Sequence, residues 1–391
     1  MRTASHFLLS CVLLTIILDI GLGSSGYTYE ALTQTSQIQF VELGQYDSGG
    51  IVFGVEIIDE IAYIADFGRG LIILNISDPC NPTELGSFYD GGNPHDIFLS
   101  DNLAYMANHG NGLEIFNITN PNHPTKVGQI IDSGDGQADG VFVSNNRVYV
   151  AEWYDSTWSW KMIIINVTNP ANPIKIAEYA DADGQFFRFY TEGDILYTSC
   201  FDDGFKILNI SMPTNIIELG RFYDGGSSSE FQVVDSIAYI ADGGGGLELL
   251  NISDPASPVK LGEYDDEGTV FDVKISEEVA YIAGYGTGLT MLNISNPANI
   301  TLLGQYSSED VTRFDIQDDY AYLALGENGL RILKIGESAE IGCSTTINSQ
   351  TSTTRTSTTL IIQSTTGWTF EILIAGLAVM VLLYCLKRSK S

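Results

Sequence analysis

Charged side chains recur at one position of an internal repeat, nine residues before a tyrosine that returns about every 42 residues. In chain order that position is occupied by Gly54, Asp96, Gly140, Arg188, Glu230, Asp272 and Arg313. Carboxylates and guanidinium groups at one level can bind a polar ligand such as a sugar or a peptide terminus. The same groups can form internal ion pairs that hold the repeats together. Both interpretations remain open from the sequence.

The same carboxylates offer a catalytic alternative. An extracellular glycan hydrolase or lyase would use Asp96, Glu230 or Asp272 as acid and base, and Arg188 or Arg313 would stabilise developing charge. The sequence contains no serine-nucleophile motif, phosphate-binding loop or complete set of metal ligands. We therefore predict a binding protein rather than an enzyme.

Aromatic residues mark a second candidate site. Three of the four tryptophans lie in one segment, residues 153–160, and the position four residues after the repeat tyrosine is mostly aromatic. Exposed aromatic side chains on a loop favour recognition because they offer a large, rigid apolar area. The alternative is a loop that folds onto its own repeat. The predicted ligand-contacting aromatic residues are Trp153, Tyr154, Trp158 and Tyr285.

Metal binding has weaker support in the sequence. Short acidic turns offer oxygen ligands for calcium, and their candidate residues are Asp132, Asp135, Asp181 and Asp183. The complete twelve-residue calcium loop with its closing glutamate is missing. His95 and His109, with Asp96 and Asp139 nearby, form either a transition-metal site or an ordinary hydrogen-bonded pair. No cofactor is predicted, with calcium as the one candidate.

The elements that must position these residues are short strands. Each tyrosine lies in a small-Tyr-apolar-small strand such as 62–65, and seven such strands occur at spacings of 42, 44, 48, 42, 42 and 41 residues. A glycine-rich turn, a second apolar strand, an Asp-Pro type turn and an edge strand follow. Four strands per repeat predict an all-β, seven-bladed β-propeller over residues 38–335, although a β-solenoid has a similar period.

The two ends of the repeat region favour a closed ring. The first partial copy, residues 38–46, contains only an edge strand, whereas the last copy stops after its third strand. A blade shared between the two ends accounts for both observations, while a solenoid would need polar caps.

The copies resemble the LVIVD-repeat family of extracellular propeller-like proteins. Residues 71–75 (LIILN) and 113–117 (LEIFN) stand where that family has its name-giving motif, although the motif here ends in Asn rather than Asp. The resemblance implies the propeller fold and a cell-surface or secreted protein. It leaves the activity undefined.

That asparagine creates Asn-X-Ser/Thr motifs at corresponding points of the ring. In an exported chain these motifs are glycosylation acceptors, although Asn and Ser also hydrogen-bond to turn backbone. The candidate sites are Asn75, Asn117, Asn166, Asn209, Asn251, Asn293 and Asn299.

The termini predict export and anchoring. Residues 1–24 have the basic, apolar and small-residue order of a signal peptide. A Ser/Thr-rich stalk over residues 343–367 precedes an apolar segment, 368–386, long enough for one transmembrane helix, and a basic cytoplasmic tail, 387–391, follows. These segments predict a single-pass type I protein of the cell membrane that displays the propeller outside.

Composition limits the possible partners. The formal net charge of −31 disfavours nucleic acid, because phosphate recognition needs clustered basic side chains. Cys80, Cys200 and Cys343 are too few and too widely spread to predict a disulfide framework or a zinc site. We therefore predict adhesion to, or binding of, an extracellular protein or glycan, with a structural component of the cell envelope as a further alternative.

Overall fold

A computed structural model describes residues 38–132, 135–181, 184–307 and 310–336, together with the backbone of 358–363 and 369–374. Seven four-stranded antiparallel sheets make up the described residues between 38 and 336, so the predicted seven-bladed propeller is confirmed. In six blades the strands follow the chain order from the innermost to the outermost position.

The strands of the first three blades have the following bounds. Blade 1 contains β2 (Ile51–Ile58), β3 (Ile61–Phe67), β4 (Gly70–Asn75) and β5 (Thr83–Phe88). Blade 2 contains β6 (Asp96–Ser100), β7 (Leu103–Ala107), β8 (Leu113–Asn117) and β9 (Thr125–Ile130). Blade 3 contains β10 (Gly136–Ser144), β11 (Arg147–Tyr154), β12 (Ser159–Asn166) and β13 (Ile174–Ala180).

The next three blades repeat this arrangement. Blade 4 contains β14 (Phe186–Glu192), β15 (Ile195–Cys200), β16 (Gly204–Asn209) and β17 (Ile217–Phe222), with a single 3₁₀ turn at Phe201–Asp203. Blade 5 contains β18 (Phe231–Val234), β19 (Ile237–Ala241), β20 (Leu247–Asn251) and β21 (Val259–Tyr264). Blade 6 contains β22 (Thr269–Ser276), β23 (Val279–Tyr285), β24 (Gly288–Asn293) and β25 (Thr301–Tyr306).

Blade 7 is built from both ends of the repeat region. It contains β26 (Arg313–Gln317), β27 (Tyr320–Ala324) and β28 (Leu330–Gly336), and its outermost strand is β1 (Gln39–Tyr46). β1 pairs antiparallel with β28, from Gln39 opposite Gly336 to Tyr46 opposite Leu330. This pairing closes the ring, because β1 covers the outer edge that β28 would otherwise leave unpaired.

The core lies between neighbouring blades. Strands at the second and third positions are buried on both faces, which is why they are nearly continuous apolar runs. The seven repeat tyrosines are all buried and lie in apolar clusters that draw residues from adjacent blades. One cluster, for example, joins Tyr322 of blade 7 to Val55 and Ile64 of blade 1.

A glycine in the outermost strand sets how closely adjacent blades approach. A Cβ atom on Gly262 would lie 1.8 Å from the carbonyl oxygen of Pro297, in the turn of the next blade. On Gly128 it would lie 1.9 Å from the carbonyl oxygen of Pro170. The same contact between an edge-strand glycine and the proline turn of the following blade occurs in five of the seven blades; β13 has no glycine, and Gly304 of blade 6 approaches Ile38 instead.

The loops lie on two faces. Because strands within a blade are antiparallel, the turns between the second and third strands lie on the same face as the links from one blade to the next; we call this the upper face. The lower face carries the turns between the first and second and between the third and fourth strands. Seven backbone hydrogen bonds join these two sets of lower turns, one per blade, such as Ile76 N to Glu60 O and Ile335 N to Asp319 O.

Two findings differ from the sequence predictions. Cys80 forms a disulfide bond, which the number and spacing of the cysteines did not predict. Number and spacing do not show which thiols the fold brings together. Cys200 is a buried free thiol. In addition, strands β29 (Thr358–Gln363) and β30 (Thr369–Ile374) pair antiparallel within the predicted stalk and at the start of the predicted membrane helix.

The β-branched residues of both segments favour this pairing. Among the described residues, no helix has the length and apolar character needed to cross a membrane. The predicted signal peptide, residues 1–24, and residues 375–391 of the predicted anchor and tail lie outside the described residues.

Candidate functional site

The innermost strands of the blades line a central channel and bring the predicted charged residues together near its upper end. Arg188 of blade 4 lies between two carboxylates: its Nη1 is 3.1 Å from Asp96 Oδ2 of blade 2, and its Nε is 2.7 Å from Glu230 Oε2 of blade 5. The Nε of Arg313 is 4.0 Å from the same Glu230 oxygen. Four of the five predicted charged residues thus form one network across the channel.

The aspartates of this set also bind backbone. Asp96 Oδ2 accepts a hydrogen bond from Val141 N at 2.8 Å, and Asp272 Oδ2 accepts one from Phe314 N at 2.8 Å. Each of these bonds joins the innermost strands of adjacent blades. The geometry therefore corresponds to the second interpretation of these residues, in which internal contacts hold the blades together.

Burial and charge act in opposite directions on these carboxyl groups. Burial raises the pKa of Asp96 despite nearby Arg188, and it raises the pKa of Asp272 to about 6. In Glu230 burial also favours the neutral form, but Arg188 and Arg313 outweigh it and hold the pKa below the usual value. Glu230 is therefore the anionic centre of the network.

Two residues farther along each innermost strand lies a second ring that our sequence reasoning missed. It consists of Glu56, Phe98, Phe142, Tyr190, Gln232, Lys274 and Asp315. The period of two within a strand would have found it, because alternate residues face the same side. Asp315 Oδ2 accepts a hydrogen bond from Ile57 N at 2.9 Å, again from the adjacent blade. Burial, only partly offset by Lys274, raises the pKa of Glu56 to about 8.

Acidic residues of the upper loops pair with lysines of the outer strands. The pairs recur in blades 2 to 5 as Asp90 with Lys126 (2.5 Å), Asp132 with Lys175 (2.7 Å), Asp181 with Lys206 (2.5 Å) and Asp224 with Lys260 (2.7 Å). The upper face is therefore less anionic than its carboxylate count indicates.

The calcium candidates lie within these networks. Asp132 binds Lys175 and the Tyr154 hydroxyl, and Asp181 binds Lys206. Asp135 accepts hydrogen bonds from the backbone and the side chain of Ser156. Asp183 lies outside the described residues. Calcium would have to displace lysines from Asp132 and Asp181, so this geometry does not favour it.

The tryptophans of blade 3 form an aromatic cluster with blade 4, in which Trp158 is exposed and the other rings are partly buried. The ring of Trp153 lies 5.6 Å from that of Trp158 and 5.5 Å from that of Trp160; Trp160 stacks on Phe187 at 5.6 Å, and Phe187 stacks on Phe201 at 5.6 Å. We call these five residues the tryptophan surface. Trp158 is 81% exposed and projects from a turn on the upper face.

The other two predicted aromatic contacts differ from each other. Tyr154 is buried, and its hydroxyl lies 2.7 Å from Asp132 Oδ2 and 2.8 Å from Glu152 Oε2, so the structure does not bring this predicted contact to the surface. Alternation along β11 explains this, because Tyr154 points to the opposite side from Trp153. Tyr285 is 45% exposed and packs edge-on against Phe271, apart from the tryptophan surface.

The two predicted histidines meet a carboxylate of the next blade. His95 Nδ1 and His109 Nε2 each lie 3.1 Å from Asp139 Oδ1, and the two imidazole rings stack at 4.0 Å. Asp96 takes no part, because it turns into the channel toward Arg188. Burial alone would raise the pKa of Asp139, but the adjacent imidazoles hold it below its usual value, so this carboxylate is ionised.

A family comparison identifies the repeat. The family model described as "LVIVD repeat" matches six segments that together cover more than half of the chain: residues 49–90, 91–132, 135–181, 225–266, 267–308 and 310–341. The chain belongs to the LVIVD-repeat family. Blade 4 falls between the matched segments, yet it has the same four-stranded structure as the other blades of this LVIVD propeller.

Similarity to three solved structures supports the fold alone, because each of the three is distant in sequence. The LVIVD propeller is similar to the computationally designed Ika8 protein (11% identity, TM-score 0.55, covering 76% of this chain and 100% of that one). It is also similar to a chain of the Mitotic Checkpoint Complex (10%, 0.58, 83% and 100%) and to Saccharomyces cerevisiae Sqt1 (8%, 0.54, 76% and 99%). No curated protein matches the sequence.

The Asn-X-Ser/Thr motifs of the LVIVD repeats form a ring on the lower face. Six of the asparagines end the third strand of blades 1 to 6, and in each of them Oδ1 accepts the backbone N–H two residues later at 2.8–2.9 Å. The amide nitrogen that would carry a glycan is not used in that bond. Asn299 is exposed in the turn that follows the third strand of blade 6.

Proposed function

We propose that this LVIVD propeller is a cell-surface recognition protein that binds an extracellular partner through the tryptophan surface. The single observation that carries the proposal is Trp158, which exposes 81% of its surface within a contiguous group of aromatic rings. Interface hot spots are enriched in tryptophan because its burial on binding yields a large apolar gain.

The surroundings of the tryptophan surface favour a protein partner with basic side chains. Asp155 and Asp202, both exposed, flank the aromatic rings, and the chain carries a formal charge of −31. Lysine and arginine bind both to aromatic faces and to carboxylates, so a basic protein segment satisfies both features. A neutral glycan that stacks on the rings is the other ligand that the test must distinguish.

Binding rather than catalysis is proposed because of how the channel carboxylates are used. Asp96 and Glu230 are bound to Arg188, and Asp272 is bound to the backbone of blade 7. A general acid or base must be free to exchange a proton with its substrate. We therefore assign these residues to the stability of the ring.

The location outside the cell is proposed from three features. The amino-terminal segment has the order of a signal peptide, Cys80 is oxidised to a disulfide as is usual in exported proteins, and the apolar segment 368–386 precedes a basic tail. The anchor requires residues 369–374 to become helical in the bilayer, where a two-stranded sheet would leave backbone groups without hydrogen bonds.

Glycosylation of the lower face is part of this proposal. We expect the exported chain to carry N-linked glycans on some of the seven motifs, because these asparagines are at least partly exposed and their amide nitrogens face away from the turn bond. Intact mass before and after glycosidase treatment measures this. An unmodified mass from a glycosylation-competent eukaryotic or archaeal host would contradict the prediction. Glycans at these positions would leave the upper face open.

The test of the recognition proposal uses the full chain and its single-residue variants on protein and glycan arrays. We expect Trp158→Ala to weaken binding of the selected ligand at least about tenfold, the loss of a typical hot spot. Tyr89→Ala is the matched control, because Tyr89 is an aromatic residue of blade 1 exposed by 54%. It should bind like the parent.

Three results would count against the proposal. One is equal binding by the Trp158 and Tyr89 variants. A second is binding only to glycans, which would replace the basic protein partner with a sugar. The third is turnover of an arrayed glycan that is abolished by Asp96→Asn, which would establish the catalytic alternative.

A further inference from the structure

The cluster formed by His95, His109 and Asp139 lies at the junction of blades 2 and 3 on the upper face. His95 immediately precedes β6, His109 lies in the turn after β7, and Asp139 is the extra residue of a β-bulge in β10. Each side chain offers one ligand atom, and the three atoms lie within 4.8 Å of one another. The cluster is separate from the arginine network and from the tryptophan surface.

The spacing of these atoms matches a metal coordination sphere. Two ligands bound tetrahedrally to zinc at about 2.0–2.1 Å are about 3.3 Å apart. Both imidazole nitrogens lie 3.1 Å from Asp139 Oδ1, close to that separation. A small inward or outward adjustment of the side chains would accommodate an ion at the common centre.

The backbone at His109 supports a role for its side chain. His109 has a left-handed φ of 38°, a conformation that costs a residue with a Cβ about 1 kcal/mol. At the corresponding position, blades 5 and 7 have Gly243 (φ 55°) and Gly326 (φ 57°). All three residues form the same two-stranded bridge to the next blade, so His109 adopts a left-handed backbone that glycine supplies in blades 5 and 7. Strain of this kind is concentrated at functional sites.

The carboxylate supplies an independent observation. Asp139 Oδ1 is buried, and the polar atoms that face it are the imidazole nitrogens of His95 and His109, each 3.1 Å away. Burying a carboxylate oxygen is costly unless a hydrogen-bonding or positive partner compensates it. A divalent cation held by the two imidazoles and this carboxylate would supply one.

The surroundings orient the ligands and leave access to the ion. Phe53 stacks on His95 at 4.7 Å, and His95 stacks on His109, which fixes both rings. On the outer side, His109 lines an open cavity of about 350 Å³ between blades 2 and 3. Three protein ligands next to an open space are typical of sites that keep one metal position for an exogenous ligand.

We propose that His95 Nδ1, His109 Nε2 and Asp139 bind one divalent transition-metal ion of the Zn²⁺ type, with an open position toward this cavity. Two imidazoles select zinc, cobalt or nickel over calcium and magnesium, which prefer oxygen ligands. This proposal does not depend on the tryptophan surface, and its test leaves the recognition proposal untouched.

Cobalt is the probe, because its visible absorption reports both binding and geometry. The purified full chain is stripped with a chelator, dialysed and titrated with Co²⁺, and Zn²⁺ is then added as a competitor. We expect one Co²⁺ per chain, visible absorption bands of a four- or five-coordinate ion, and displacement by Zn²⁺. Excess Ca²⁺ or Mg²⁺ should leave the absorption unchanged.

The decisive variant is His109→Gly, because glycine suits the left-handed backbone and occupies this position in blades 5 and 7. In chelator this variant should be at least as stable as the parent. Its affinity for Co²⁺ should fall at least about 100-fold, which exceeds the loss typical when a residue that only hydrogen-bonds to a metal ligand is replaced. Asp139→Asn should also weaken binding. His123→Ala removes an exposed histidine of blade 2 and should bind like the parent.

The proposal is overturned by either of two results. One is the absence of the absorption bands from the folded parent at millimolar Co²⁺. The other is an affinity that His109→Gly leaves within about twofold of the parent, which would place the bound ion elsewhere. Circular dichroism and thermal unfolding in chelator ensure that each variant is compared as a folded protein.

Discussion

Replacing Arg188 with methionine is expected to lower the free energy of unfolding by about 3 kcal/mol or more. The side chain is only 11% exposed and binds both Asp96 and Glu230, so its removal leaves two carboxylates without their main positive partner. Breaking a buried ion pair from one side costs about 3–5 kcal/mol, because the remaining charge is uncompensated. Denaturant unfolding followed by circular dichroism measures the loss.

The control for Arg188→Met is Lys334→Met. Lys334 pairs with Asp319 at 3.1 Å near the surface, where such a pair contributes at most about 1 kcal/mol. The triple variant Asp96→Asn, Arg188→Met, Glu230→Gln should recover part of the lost stability, because it removes the uncompensated charges. An Arg188→Met protein as stable as the parent would show that the network does not hold the ring together.

The second large effect is a fall in stability as the pH rises from 5 to 8. Five carboxyl groups, four of them buried and Glu56 partly buried, have raised pKa values with desolvation as the main cause: Asp272, Glu152 and Asp242 at about 6, Glu248 at about 7 and Glu56 at about 8. In the unfolded chain these groups lose their protons near pH 4. The folded protein therefore holds more protons across this range, and deprotonation favours unfolding.

The sign is the same for all five groups. When the pKa of a carboxyl group is higher in the folded protein than in the unfolded chain, its contribution to stability is fully present at a pH below the unfolded-chain pKa. That contribution is lost as the pH rises through the pKa of the group in the folded protein. Each group changes the free energy of unfolding by at most about 1.4 kcal/mol per pH unit. Carboxylates with lowered pKa values, such as Glu230 and Glu84, change the free energy of unfolding only below pH 5, so they do not contribute to its change between pH 5 and 8.

Glu56→Gln isolates the channel contribution to this pH dependence. The amide cannot ionise, so the variant should unfold at a higher temperature than the parent at pH 8 and should lose less stability between pH 6 and 8. Glu60→Gln, at the exposed turn after the same strand, is the matched control. Thermal unfolding at fixed ionic strength measures both. A parent that becomes more stable from pH 5 to 8 contradicts this assignment of buried protons.

Both predictions concern the rigidity of the propeller ring. The channel charges, the Gly262 contact to Pro297 and the strand pairing of β1 with β28 all join one blade to another. A rigid ring holds its upper loops at fixed positions, which lowers the entropy lost when a ligand binds to them. The tryptophan surface and the His95, His109 and Asp139 cluster both depend on that support.

The periodicity of the sequence, together with the partial copies at the two ends of the repeat region, determined the fold of this protein. Strands at a constant spacing, each with its tyrosine, glycine turn and edge strand, predict the blades because the same local pattern requires the same local structure. The fixed offset from the repeat tyrosine likewise placed the charged residues at one level of the ring. Period-two alternation along the innermost strands would also have placed Glu56 and Lys274 on the same side, and along β11 it would have turned Tyr154 to the side opposite Trp153.

Contacts between blades were decided only by the tertiary structure. Arg188 forms ion pairs with Asp96 and Glu230, which are 92 and 42 residues away in the sequence. His109 contacts Asp139 because Asp139 lies in a β-bulge that no sequence signal marks. The sequence shows the types of these side chains and their level in the repeat. The partner of each side chain depends on the rotation between neighbouring blades and on the distance between them. Packing around the whole ring determines that rotation and that distance.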